Sequence, residues 1–335
     1  METKARRNIL AVRERSWKQV VFRWESLLLL LFLAVNIFNM SISPNYLDAS
    51  GLFTAISTFL PKGFIAFPMA YLLVLGEIDL SVGSTVALSA TLLGISYNSG
   101  LSMGAAILIA LGCGLVCGLL NGLILAKFTE LAPMIVTLGT MTLYRGISQM
   151  ILGSESSGGL HNCRWFYNIY YARLGPVPYV FLVFCLAAVA FGFVLHKTVF
   201  GRQVYAIGSN EEATRLSGIK VDNWKVAVYT LSGFFIGMCA LFYAAAYTTI
   251  TPGTGAGQEM NGITGVIIGG TSMSGGSGTM VGTLIGVFIM SVLKTGLANC
   301  GLQAPWQTFL TGAVVIGAVL LDIARTKAAN RVKKG

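Results

Sequence analysis

Three carboxylates stand beside long apolar runs. Glu77 and Asp79 fall within VLGEIDLSVGS (74–84) and Glu259 within TPGTGAGQEMNG (251–262). An acid at membrane depth is costly, so by default it marks a place where protons or solute are handled. Structural readings stand beside the functional one. Asp79 or Ser81 is a candidate N-cap for the helix that follows, and Glu259 suits the positive end of a short helix. Arg145, inside another apolar run, is a candidate ion-pair partner.

Covalent chemistry has no support. The chain holds no G-x-x-x-x-G-K-[ST] phosphate loop, no G-x-S-x-G elbow and no H-E-x-x-H. Its six cysteines and two histidines show no zinc or redox spacing. The expectation is a non-enzyme that binds no metal or cofactor and hydrolyses no ATP itself. Cys163 and Cys300 both map to the outer side, which leaves a disulfide between them open.

The elements that must position these residues are membrane helices. Of 335 residues, 55% are hydrophobic and 11% charged, where a soluble domain carries about 25% charge. Runs of about 20 apolar residues, enough for a hydrocarbon core of about 30 Å, lie near 26–43, 52–75, 101–126, 132–152, 177–196, 226–249 and 304–321. Shorter or Gly-interrupted runs lie near 83–98, 261–269 and 279–297. The expected fold is all-α and membrane-integral, with about ten spans. A basic leader covers 1–25, a single polytopic transmembrane domain 26–322 with a polar loop at 197–225, and a basic tail 323–335. The leader is long and the first apolar run lacks an A-x-A-like site, so the leader is expected to stay attached.

Charge sets the orientation. Of 23 Lys and Arg, seven lie in the leader, five between 197 and 225 and five in the tail. The positive-inside rule places all three segments in the cytoplasm, which six spans before the loop and four after it satisfy. The net charge of +10 is thus a topology signal. Spread over three segments, it forms no face for nucleic acid.

Within the membrane, VLGEIDLSVGS (74–84) aligns without gaps to IIGGTSMSGGS (267–277), pairing Gly76 with Gly269, Ser81 with Ser274, Gly83 with Gly276 and Ser84 with Ser277. The Ala-Pro steps at Pro133 and Pro305 echo each other similarly. Interrupted segments at matching places in two halves point to a transport pathway. Irregular backbone at that depth must be buried in protein or line a wet cavity. Residues 261–269 are too few to cross and predict a half-helix that starts near Glu259. Glycines four apart (Gly114, Gly118 and Gly122; Gly233 and Gly237; Gly278, Gly282 and Gly286) predict close helix packing. The aromatic stretch 153–176 maps to the outer side, as interface anchors or as a docking surface.

The polar stretch GRQVYAIGSNEEATRLSGIKV (201–221) reads as a short capped helix. Ser209 and Glu212 have the form of a capping box, and Gly218 suits a left-handed C-terminus. The predicted helix is Asn210 to Ser217, with Glu211 and Glu212 at its start and Arg215 near its end, as the dipole prefers. So short a helix needs something to pack on. Ala213, Leu216 and Ile219 offer a small apolar patch, either for an ATPase or against the chain's own bundle.

GEIDLSVGS (76–84), APMIVTLGTM (132–141), GRQVYAIGSNEEATRLSGI (201–219) and EMNGITGVIIGGTSMSGGSGTMVGTLIG (259–286) together resemble the membrane permease subunits of bacterial ABC importers for ribose, xylose and sugar-like autoinducers. The resemblance covers nearly the whole chain after the leader. It implies a type II importer fold in two pseudo-repeated halves, in the bacterial cytoplasmic membrane. It also implies three partners: an ABC ATPase subunit that holds ATP and Mg, an external substrate-binding protein, and a second permease, identical or related. By the same resemblance Asn210, Glu211, Glu212, Ala213, Leu216 and Gly218 belong to the region that docks on the ATPase. Glu77, Asp79, Ser81, Ser84, Thr271, Ser272 and Ser274 lie near the pathway. The sequence departs from the family pattern at Glu77 and Pro68, where many members have Gly, and at Thr214, where Ala is usual. The competing reading is a proton-coupled secondary transporter that uses Glu77, Asp79 and Glu259.

Overall fold

The computed structural model describes residues 24–42, 46, 49–153, 155–303, 305–314, 316–317 and 319–320. The leader up to residue 23 and the tail 323–335 lie outside the described residues. The apolar runs become helices: α1 (Trp24–Ile42), α2 (Ala49–Gly63), α3 (Ala66–Leu75), α4 (Val82–Asn98), α5 (Met103–Lys127) and α6 (Pro133–Leu152) in the first half. After α7 (Arg164–Tyr171) and a two-strand hairpin, β1 (Arg173–Leu174) with β2 (Val177–Pro178), come α8 (Tyr179–Lys197), α9 (Val199–Ser209), α10 (Glu211–Leu216), α11 (Val221–Tyr247), α12 (Gln258–Ile268) and α13 (Met280–Asn299). Residues 305–314 are helical as well.

Among the described residues, four helices, α5, α8, α11 and α13, are long and apolar enough to cross a membrane. The outward faces of α5 and α8 carry Leu108, Leu186 and Val189, each about 70% exposed, an apolar surface suited to a hydrocarbon core. The run expected as one span at 52–75 is divided instead. Pro61 lies inside α2, and Pro68 has no N–H to give the Phe64 carbonyl. The chain turns at Phe64 and Ile65, and Phe67 N–H donates to Phe64 O at 3.3 Å. The predicted half-helix is α12, whose 11 residues span only about 16 Å.

The packing follows the glycine spacing. α5 and α11 form the most extensive helix pair in the structure, and their glycines face each other. A Cβ on Gly114 would lie 2.5 Å from Gly233 O, and one on Gly118 would lie 2.3 Å from Tyr229 O. Likewise a Cβ on Gly282 would stand 2.0 Å from Gly269 O, and one on Gly286 2.0 Å from Gly265 O, which sets α13 directly on α12. Between lipid-exposed helices no hydrophobic drive is available, so main-chain approach supplies the dispersion contact. Inside, Phe64 stacks on Phe242 at 4.5 Å and Phe191 meets Phe235 edge-on at 4.3 Å.

Gly118→Ala forces α5 and α11 apart at a point with no flexible atom to yield. Overpacking of this kind costs about 1–3 kcal/mol, so the thermal midpoint of the detergent-solubilised protein falls by several degrees. An unchanged midpoint would show that the pair is loosely packed.

Candidate functional site

The two segments aligned in the sequence lie against each other. The first break runs from Gly76, at φ +88°, to Ser81. The second runs over 269–279. Gly276 N–H donates to Val74 O at 2.8 Å, and a Cβ on Gly275 would lie 2.8 Å from Gly76 Cα. The end of α9 joins them. A Cβ on Gly208 would sit 1.9 Å from Val74 O and 2.7 Å from Gly276 N. Three stretches of backbone therefore meet at one point, and only glycine allows it.

Glu77 and Asp79 leave this junction in different directions. Asp79 is buried, and its Oδ1 accepts the Ser81 N–H at 2.8 Å and the Ser81 hydroxyl at 2.6 Å. Ser81 Oγ in turn accepts from Asn121 Nδ2 on α5 at 2.9 Å, and Ser84 Oγ donates back to Ser81 O at 2.7 Å. Of the two candidate caps, Ser81 holds the N-cap position of α4 without a side-chain cap bond, and Asp79 supports the turn before it. Glu77 pairs with Lys225 Nζ at 2.9 Å, and its Oε2 accepts the Tyr229 hydroxyl at 2.8 Å. Both Lys225 and Tyr229 lie in the first turns of α11, four residues apart on one face. Breaking such a buried pair from one side costs about 3–5 kcal/mol.

Arg145 is not the partner of these acids. Its Nη1 donates to the carbonyls of Pro252 and Thr254 at 3.1 and 3.2 Å, and it makes no ion pair among the described residues. The turn before α12 exposes those carbonyls, and the guanidinium ties it to α6. Glu259 lies in the first turn of α12 as expected; its Oε1 accepts Gly257 N–H at 3.2 Å, while Oε2 is buried without a hydrogen bond. In the second break Thr271 is buried, Ser272 half-buried and Ser274 exposed, with Ser272 Oγ accepting Ser274 N–H at 3.2 Å. Cys163 and Cys300 are both free thiols, so no disulfide joins them.

The short polar helix forms, with its cap moved by one residue. α9 extends through Ser209, whose hydroxyl donates to Tyr205 O within that helix. Asn210, in extended backbone, is the cap instead, and its Oδ1 accepts Ala213 N–H at 2.9 Å. The helix is Glu211–Leu216 rather than Asn210–Ser217, and Gly218 takes the left-handed conformation at φ +84°. Thr214 faces inward and its hydroxyl donates to Ala206 O at 2.9 Å, fastening α10 to α9. Arg215 binds Asp222 through both carboxylate oxygens, at 2.7 and 2.9 Å. These bonds, with that to Glu211, hold the guanidinium even more firmly protonated than usual. Leu216 is 84% exposed, and beside it opens a groove lined by Gln203, Gly218, Ile219, Lys220, Asn223 and Trp224.

A model of the family described as "Branched-chain amino acid transport system / permease component" matches residues 51–319. The chain belongs to that family. The permease is 38% identical over 298 residues to the ribose import permease protein RbsC of Bacillus subtilis (strain 168), covering 88% of this chain and 90% of that protein. It is 34% identical to the ribose import permease protein RbsC of Escherichia coli (strain K12), over 84% of this chain and 88% of that one. To the autoinducer 2 import system permease protein LsrD of Escherichia coli (strain K12) it is 33% identical, over 90% and 92%. No solved structure matches it. The resemblance read from the four motifs is met, and the permease is a transport protein of the sugar ABC importer kind.

Sequence reasoning counted Lys225 only as a topology charge and passed over Tyr229 and Asn121. Their spacing on helix faces was visible, but their partners lie on segments far away in the chain. Asp79→Ala leaves the Ser81 N–H and hydroxyl without their acceptor, a loss of about 1–3 kcal/mol for a buried donor. The detergent-solubilised variant melts lower than wild type, and Asp79→Asn recovers part of the difference. Equal midpoints for wild type and Asp79→Ala would remove Asp79 from the turn's support.

Proposed function

We propose that this permease spans the bacterial inner membrane about ten times with both termini in the cytoplasm. With a second permease chain, identical or related, it forms the pathway of a type II ATP-driven importer for a sugar or sugar-like solute. An external binding protein delivers the solute, and a separate ATPase subunit, carrying ATP and Mg, supplies the energy. The substrates that the relatives are named for, ribose and autoinducer 2, favour a sugar-like cargo over the amino acids in the family's description. The pathway runs beside the two breaks and opens to each side in turn.

The observation that carries this reading is α10. A six-residue helix is unstable alone, yet this one is clamped by its Asn210 cap, by Thr214 and by Arg215, with Leu216 left 84% exposed next to an open groove. Rigid support behind an exposed apolar residue is what a docking helix requires. Glu211, Glu212, Ala213 and Gly218 complete the contact region. The proton-coupled alternative is not favoured. Glu77 is paired with Lys225 and Tyr229, and Asp79 accepts from Ser81, so both carboxylates already have structural partners.

Leu216→Asp or Ala213→Asp places a charge in the docking contact. A central interface residue of this kind carries about 2 kcal/mol, about thirtyfold in affinity. ATP-driven uptake is therefore lost while the protein stays in the membrane. Normal uptake by both variants would disprove the docking role, and uptake by this chain alone on a proton gradient would disprove the importer.

Orientation has its own test. α13 starts beside His196, whose Nε2 accepts the Met280 N–H at 3.2 Å, and ends 20 residues later next to Cys300, about 30 Å away. In intact cells an impermeant maleimide labels Cys300 as the sole cysteine, whereas Leu216→Cys reacts only after permeabilisation. The reverse pattern would invert the topology.

A further inference from the structure

One cation joins the surface helix to the first break. Lys225 Nζ lies 2.9 Å from Glu77 Oε1 and also 2.9 Å from Glu211 Oε2. Its side chain is 11% exposed and that of Glu77 5%, whereas that of Glu211 is 40% exposed. Glu211 continues outward through Oε1 to Arg215 Nη2 at 3.2 Å, and Arg215 continues to Asp222 at 2.7 Å. Charges thus alternate without a gap from Asp222 through Arg215, Glu211 and Lys225 to Glu77, which ends on the Tyr229 hydroxyl. Glu77 itself is part of the break's backbone, where its N–H donates to Leu72 O at 2.9 Å, one residue after the Gly76 that packs against Gly275.

We infer that Lys225 is a positioning residue that tethers α10 to the first break, so that displacement of the docking helix is delivered to Glu77 and through it to the meeting point of both breaks. The inference rests on the proposed docking of α10 with an ATPase. Its physical basis is that a buried charge does not tolerate being left unpaired. If α10 moves, Glu211 draws Lys225 with it. Glu77 then either follows or loses its counter-ion, and following is the cheaper course. The tether is short and has one cation in the middle, so no alternative charge takes over. Among the described residues, Glu77 has no other ion-pair partner.

The test uses the permease assembled with its ATPase and binding protein in proteoliposomes. Lys225→Met alone strands the buried Glu77 carboxylate, so the informative variant is Lys225→Met/Glu77→Gln, which removes both charges together and leaves similar volumes. Neither residue belongs to α10 itself. The expected result is unchanged ATPase binding, continued ATP hydrolysis, and solute moved per ATP reduced at least about fivefold, the lower end of ordinary coupling between linked sites. Lys225→Arg retains most of the ratio. A fluorescent label at Ser217 responds to ATP in wild type and in the double variant, while one at Ser274 responds in wild type alone. If the double variant moves as much solute per ATP as wild type, or its Ser274 label still responds, the tether is overturned and the docking reading stands. If the wild-type chain fails to bind the ATPase, the docking reading falls and the tether with it.

Discussion

The structure depends on a place where three backbones touch. Val74 and Gly76, Gly208, and Gly275 with Gly276 come so close that a single methyl group on any of the last three would overlap a neighbour's main chain. The glycines cost helix stability locally, and the return is that two interrupted helices and helix α9 share one anchor. Had any of the three segments been held by side-chain packing alone, the breaks would face lipid with unsatisfied amides, which a bilayer does not permit. Instead the Gly276 amide finds the Val74 carbonyl, and each break closes the other.

Around this anchor three polar side chains are each routed to a different element. Asp79 ties the first break to α4 and, through Ser81 and Asn121, to α5. Glu77 ties it to α11. Arg145 ties α6 to the turn before α12. The long pair of α5 and α11 unites these attachments, because Asn121, Lys225 and Tyr229 all lie on it. Interior polar groups are costly when unpaired, so distributing them over several helices also fixes how those helices are registered against one another.

Much of this was legible in the sequence, and the limits have physical causes. Apolar runs and glycine spacing announced the helices, the half-length α12 and the close contacts, because both signals are local and periodic. The internal repeat showed that 74–84 and 267–277 belong together; their direct contact is a tertiary fact that no repeat specifies. Pro61 and Pro68 carried the division of the 52–75 run, although average apolarity masked it. At the polar helix, the S-x-x-E pattern at Ser209 was a valid cap signal overridden by its neighbour: α9 runs on through Ser209 and consumes its hydroxyl, so Asn210 caps instead. Glu77 and Lys225 looked like a pathway acid and a topology charge. Only the fold, which brings together positions well over a hundred residues apart, makes them partners.

The same glycine contact sets how the molecule can yield. A surface formed by side chains must change rotamers before one element slides over another, and interlocked side chains resist until they jump. Main chain facing main chain has no rotamers to reset. Here the resistance is one amide hydrogen bond, from Gly276 to Val74, and a patch of flat contact. Small displacements along that plane meet a smooth slope instead of a step.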